Sequence, residues 1–247
     1  MKTRTETLSH SFALNIMGKA KDIIVKPIKA ADANKVIKRL HYSGKVVQNS
    51  TLHFGVFLNG KCGGALSYGH PIDRRNLMPL VKDTKFYDFL ELNRMALADW
   101  LPRNGESRAI AYTMKFIRKN YPSIKWVISF SDGTQCGDGT IYRASGFDLI
   151  GIKKNSTIHK MPDGSIVAKH GTSKKNFTGS KPLSGYQLRY IYFIDKSYRK
   201  KLTVPTIPFN EINKRGASMY KGKALSVQSI EDDAPVIQTG EGGSTPT

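Results

Sequence analysis

Six side chains in this chain stand at positions where polar chemistry could be done: His41, Tyr42, Arg94, Ser107, Asp132 and Tyr142. An imidazole, a carboxylate and a phenol can take and give protons, and a guanidinium or a helix start can hold an anion. Each has an ordinary alternative. His41 can offset the dipole of a helix end, while Ser107 and Asp132 can cap helices. Arg94 interrupts the apolar run Leu92, Met95, Leu97. A buried guanidinium there needs acceptors, from Glu91, another acid or a ligand phosphate. In the turn Pro102-Arg103-Asn104-Gly105-Glu106-Ser107, Gly105 permits tight backbone geometry and Ser107 joins the helix-start amides as a phosphate or oxyanion holder.

The elements that must position these residues follow from hydrophobic period and turn chemistry. A first strand is predicted over 23–28 and a helix over 30–40, with Val36, Ile37 and Leu40 facing inward and His41-Tyr42 at its end. Strands over 52–58 and 61–68 flank Asn59-Gly60, a strong hairpin signal. After a charged connection without period over 70–88 come a strand (89–98), a helix (106–119) and a buried-looking strand (125–130). The last empties into Ser131-Asp132-Gly133. Tyr142 falls on the next short helix, and further strands are predicted over 147–152 and 188–194, with a turn at Pro162-Asp163-Gly164. The order β-α-β-β-β-α-β-α-β makes this an α/β chain with a mixed sheet. Polar residues at sheet ends beside helix starts are where α/β folds hold anionic ligands.

Composition names the partner class. Lys+Arg 39 against Asp+Glu 19 gives a formal charge of +20 over 247 residues. That imbalance points to nucleic acid, an anionic membrane surface or a polyanionic ligand. The stretch 151–201 holds 12 Lys/Arg against Asp163 and Asp195. With Tyr186, Tyr190 and Tyr192 among its cations, it is the expected grip on a nucleic-acid backbone, and 170–187 reads as a basic loop. No apolar run approaches the roughly 20 residues of a membrane span. Cys62 and Cys136 are the only cysteines, so a disulfide framework and a structural zinc are not expected and a reducing cytoplasm is. The organisation expected is an N-terminal arm (1–21), a catalytic domain (22–201) that includes the basic stretch, and a C-terminal segment (202–247) disordered from about 221.

The strings RLHYSGK, ELNRMAL, RNGESRAIAY and SFSDGTQCGDGTIYRASGF resemble the Mom DNA-modification protein family of Mu-like bacteriophages. The resemblance spans about residues 22 to 195 and implies a GNAT acyltransferase-like fold: a mixed, mainly antiparallel central sheet flanked by helices. It implies conversion of adenine in double-stranded DNA to N6-carbamoylmethyladenine, which blocks restriction endonucleases in the cytoplasm of the bacterial host. By motif matching, His41, Tyr42, Arg94, Ser107, Asp132 and Tyr142 form its catalytic set, with Arg103, Gly105 and Ser107 toward the donor. The family is also linked to iron, for which His41, Asp132 and Tyr142 are the candidate ligands. GNAT enzymes hold coenzyme A pyrophosphate on an Arg/Gln-x-x-Gly-x-Gly/Ala loop; here Pro102 and Ser107 replace its outer residues and only Gly105 fits. The donor is therefore acetyl-CoA or, in better accord with this departure and with the product's atoms, a glycyl group on tRNA. The other readings are a non-catalytic basic DNA-binding protein and a conventional GNAT N-acetyltransferase.

Overall fold

Asn59 and Gly60 take φ of 49° and 76°, the left-handed pair that a two-residue hairpin requires. They join β2 (Ser50–Leu58) to β3 (Lys61–Gly69). The computed structural model describes residues 19–132, 139–155, 158–168, 177–183, 185–220 and 223–224. Most of the expected arm, the heart of the basic loop and the end of the chain lie outside the described residues. So does 133–138, which holds Gly133.

A seven-stranded sheet carries the fold, its strands lying side by side in the order Ile24–Pro27, Ser50–Leu58, Lys61–Gly69, Phe89–Leu97, Trp126–Asp132, Gly185–Phe193 and Asp148–Asn155. Its elements in chain order are β1 (Ile24–Pro27), α1 (Ala30–Leu40), β2, β3, α2 (Arg74–Leu77), β4 (Phe89–Leu97), α3 (Gly105–Asn120), β5 (Trp126–Asp132), α4 (Thr140–Ala144) and β6 (Asp148–Asn155). β10 (Gly185–Phe193) closes it between β5 and β6. Only β4 and β5 are parallel; every other pair in this sheet is antiparallel. The expected class, a mixed and mainly antiparallel sheet flanked by helices, is the one observed.

One face of the sheet receives α3 through Ala109, Ile110, Met114 and Ile117, which share a core with Leu66, Tyr68, Leu90, Leu92 and Val127. The other face is covered in two patches. α1 lays Ala33 and Ile37 on Ala65, an i, i+4 pair as an amphipathic helix demands. Leu77, Leu80 and Val81 cover Phe89, Trp126, Ile128, Ile191 and Phe193. This second cover comes from the connection that shows no period in sequence. It is built of a four-residue helix and a 3-10 turn, Met78–Leu80, too short for any repeat to register. A bridge from Val81 to Leu202 ties it down.

The basic stretch 151–201 is partly a piece of this body. It leaves through β6, builds a small antiparallel sheet of β7 (Ile158–Lys160), β8 (Ile166–Ala168) and β9 (Lys181–Pro182), then returns as β10. The expected turn at 162–164 links β7 to β8. Period-2 alternation along β10 puts Tyr186, Tyr190 and Tyr192 on the α3 face, with Tyr190 fully buried. This corrects the expectation that these tyrosines grip a nucleic acid: they pack the core, and Arg189, the cation between them, lies over Phe130 on the other face. Past α5 (Asn210–Lys214), β11 (Met219–Tyr220) pairs with β12 (Lys223–Ala224), so ordered pairing runs just beyond the point where disorder was expected to begin. Among the described residues no helix is long and apolar enough to cross a membrane.

Candidate active site

β4 and β5 run side by side for only three pairs: Phe89 with Trp126, Leu90 with Val127 and Glu91 with Ile128. Beyond them β4 follows β3 to Leu97 and β5 follows β10 to Asp132. The sheet splits into a cleft walled by 92–97 and 129–132. Its opening is traceable to Asn93. Arg94 faces Ser67 and Leu92 faces Tyr68, so Asn93 is the extra residue of a bulge, and a bulge bends its strand. Interior backbone groups left outside a ladder need other partners, which suits the cleft to an extended polar ligand. α3 starts beyond its open end.

Alternation sorts the candidates between the two faces. Glu91 and Arg94 share the α1 face with Ser67. Arg94 donates from Nε to the Lys45 carbonyl (3.2 Å) and from Nη1 to the Asn93 carbonyl (2.7 Å). Among the described residues no carboxylate forms a salt bridge with it. Where the sequence pointed to Glu91, another acid or a ligand phosphate, the acceptors in the structure are backbone carbonyls. Glu91 instead has its carboxyl pushed up by burial, against the opposing pull of Asn93 and Arg94.

His41 is the C-cap of α1. Burial, then the Arg94 guanidinium, lowers its pKa to about 4, so the ring is neutral near pH 7. The Ser43 backbone N–H donates to Nδ1 at 3.1 Å, and Ser43 Oγ lies 2.8 Å from the same nitrogen. With Nδ1 accepting, the proton sits on Nε2. The outward nitrogen is a donor in this tautomer, not the base that an isolated His suggests. Tyr42 stacks on the ring at 4.3 Å and is 58% exposed.

The proton balance of His41 makes a testable prediction. Its folded pKa lies below the free value, so its contribution to stability is complete above pH 6.5 and is lost as pH falls toward 4. Between pH 7 and pH 5 the wild-type protein should lose about 1–2 kcal/mol more than His41→Gln, allowing for partial exposure. Urea unfolding at the two pH values checks it; equal losses would remove the buried neutral imidazole.

The opposite face holds a second polar group. Ser129 donates to the Tyr142 hydroxyl at 2.9 Å, and Tyr142 stacks on Tyr190 at 4.3 Å and 12°. Nearby, the Tyr68 and Thr113 hydroxyls lie 2.6 Å apart in the core, and burial drives the Tyr68 phenol pKa far up. Ser131, also on this face, is 3% exposed, and its buried Oγ meets no hydrogen-bond partner among the described residues. Asp132 falls on the other side, in alternation with Trp126, Ile128 and Phe130. Asp132 and Tyr142 thus stand on opposite faces of β5 rather than converging on one.

At the start of α3 the residue with positive φ is the N-cap Asn104 (68°), not Gly105. Gly105 is buried, and a Cβ there would lie 3.1 Å from Ile23 and 3.6 Å from Leu97; close packing, not a turn, calls for glycine. Ser107 donates to the Asn104 carbonyl at 3.1 Å. Arg103 is exposed beside it.

Sequence reasoning missed Glu91 and Asn93 as site members, the buried His53–Ser67 pair (2.8 Å), and Ser129 and Ser131. The two serines do leave a signal: polar residues at i and i+2 of an apolar strand. Nothing local marks His53 or Ser67.

Similar folds occur in the ribosomal-protein-S18-alanine N-acetyltransferase of Escherichia coli (14% identity, 70% of this chain and 94% of that one, TM-score 0.44). The IAA acetyltransferase of Bacillus cereus is another (11%, 69% and 99%, TM-score 0.45). In sequence the chain is 37% identical over 196 residues to the protein named Methylcarbamoylase mom of Escherichia phage Mu, covering 74% of this chain and 80% of the relative. Residues 22–211 match the Mom protein family. With the match spanning most of its length, the chain belongs to the Mom protein family.

Proposed function

We propose that this protein is a DNA-modifying transferase that converts adenine in double-stranded DNA to N6-carbamoylmethyladenine. The mark protects phage DNA from restriction endonucleases in the cytoplasm of the bacterial host. The observation that carries the reading is the kinship with a methylcarbamoylase over most of both chains, and the polar lining of the cleft supports it. A protein that only binds phosphate has no use for a buried polar wall such as Asn93, Ser129 and Ser131.

Adenine N6 is a poor nucleophile because its lone pair is delocalised into the ring, and it must leave the base stack to react. In our scheme Arg94 and the Nε2–H of His41 stabilise charge that develops on the acyl oxygen. Asp132 takes the N6 proton. Tyr142, whose oxygen accepts from Ser129 on the other face of β5, supplies a proton to the leaving group, and Tyr42 stacks on the base. Arg103, Gly105 and Ser107 border the donor's end.

The donor we favour is a glycyl group esterified to tRNA. N6 attacks the ester carbonyl, the N6–carbon bond forms, and the tRNA hydroxyl leaves with a proton. The resulting N6-glycyl adenine is an isomer of the carbamoylmethyl product, so rearrangement needs no oxidant. Acetyl-CoA lacks the amide nitrogen. For iron, the candidates His41, Asp132 and Tyr142 do not form a set. His41 Nδ1 is engaged by Ser43, and Tyr142 lies across the sheet from Asp132. Among the described residues no three His, Cys, Asp or Glu side chains cluster.

Purified protein, duplex DNA and glycyl-tRNA should yield N6-carbamoylmethyladenine by nucleoside mass spectrometry. Undiminished product after ribonuclease treatment of every component removes tRNA. Asp132→Asn should lose about a hundred-fold or more of the product while still binding DNA; wild-type turnover in that variant removes Asp132 from the chemistry.

A further inference from the structure

The connection between β3 and β4 carries a cluster of exposed apolar side chains that the proposed chemistry does not use. Ile72 is 90% exposed, Tyr87 64% and Phe86 41%. With Tyr42 they make four of the seven large hydrophobic residues exposed among the described residues. All four lie on two segments tied together by the Asn49 side-chain amide, which donates to the His70 carbonyl. Their exposure does not come from looseness. Pro71, Arg74 and Leu77 are buried on either side of Ile72. The His70 ring is held by the Phe89 carbonyl at 3.1 Å and abuts the Tyr87 ring at 5.3 Å. Arg74 lies 4.1 Å from the Phe86 ring and 4.9 Å from the Tyr87 ring.

An apolar side chain held rigidly in water on a folded turn has given up burial worth about 2 kcal/mol. Arg74 is 9% exposed, forms no salt bridge among the described residues and has a buried Nε without an acceptor there. Arg75, Lys82 and Lys85 are exposed on the same connection, as are Asp73 and Asp83, the latter paired with Lys201. Exposed apolar projections on a chain of net charge +20 match duplex DNA: cations meet phosphates, and the projections enter between bases. The connection leads within three residues into Glu91 of β4, at the closed end of the cleft.

We propose that Ile72 is a wedge that enters the base stack of double-stranded DNA and fills the gap left by an extruded adenine, with the Arg74-braced Phe86 and Tyr87 as the platform beside it. This rests on the reading of the protein as a duplex-adenine transferase, and it assigns the opening of the duplex to a segment outside the catalytic set.

Permanganate, which oxidises unstacked thymine, tests it on plasmid DNA without knowledge of the target context. Wild-type protein should raise thymine reactivity at discrete sites. Ile72→Asp should lower it by about ten-fold or more, Tyr87→Ala should lower it in the same direction, and Ile72→Leu should retain it. Thermal melting should be unchanged for both Ile72 variants, since the side chain is exposed. Wild-type reactivity in Ile72→Asp and Tyr87→Ala overturns the proposal, as does a wild-type protein that marks no thymine. Nucleoside mass spectrometry on the wild-type DNA separates the two readings. Modified adenine without thymine reactivity sinks the wedge alone, whereas thymine reactivity without modified adenine sinks the transferase alone.

Discussion

Replacing Arg94 with methionine is expected to cut modified adenine in recovered DNA by about a hundred-fold or more, the loss seen when a preorganised donor is removed from a reaction site. Methionine keeps the length and apolar stem of the side chain, so packing on the α1 face is largely retained. What goes is the charge, the bond to the Lys45 carbonyl and the bond to the Asn93 carbonyl. The first of these bonds ties the 41–49 segment to the cleft wall, so His41 and Tyr42 lose their placement together. Arg94→Lys is not expected to restore activity, because one ammonium cannot reproduce the forked donor geometry. A second readout separates this from simple unfolding. Arg94 contributes to the depressed His41 pKa, after burial, so the His41 pKa followed by NMR should rise in Arg94→Met. An unmoved titration together with full modification would exclude Arg94 from the site.

Trp126→Ala is expected to cost about 3–5 kcal/mol, the range for deleting a fully buried large aromatic. Trp126 has no exposed surface. It stacks on Phe89 at 4.0 Å and 11°, and its Nε1 donates to Thr84 Oγ1 at 3.1 Å. These two rings form the first of the three pairs holding β4 to β5, so the substitution should also loosen the hinge of the cleft. Against a total stability of roughly 5–15 kcal/mol, such a loss is measurable as a large fall in the urea midpoint. Trp126→Phe keeps the stack but drops the indole donor and should cost about 1–2 kcal/mol beyond its lost volume. Equal midpoints for Ala and wild type would show that the cleft is held from elsewhere.

Much of this site was legible because its signals are local. A β4 arginine amid apolar residues, a histidine at a helix end and a carboxylate at a strand end each stand out against a periodic background. The hairpin at Asn59-Gly60 and the order of strands and helices along the chain were equally local, while α1 buries Ala33 and Ile37 rather than the expected Val36, Ile37 and Leu40. The 70–88 connection was not, because its apolar residues are spread over turns shorter than any period. The role of Tyr190 was misread because composition counts neighbours along the chain, while a strand alternates them between faces.

By itself, then, the sequence determined the class of sheet, the basic character and the candidate residues, since backbone preference, charge and side-chain chemistry reside in single residues and short repeats. The tertiary structure alone decided where those residues stand. A one-residue bulge at Asn93 accompanies the parting of β4 from β5, and strand parity sends Tyr142's partner Ser129 and Asp132 to opposite faces. The contact of Ser43 with His41 Nδ1 decides which nitrogen carries the proton. Register and burial are sums over partners distant in the chain, and no local pattern contains them.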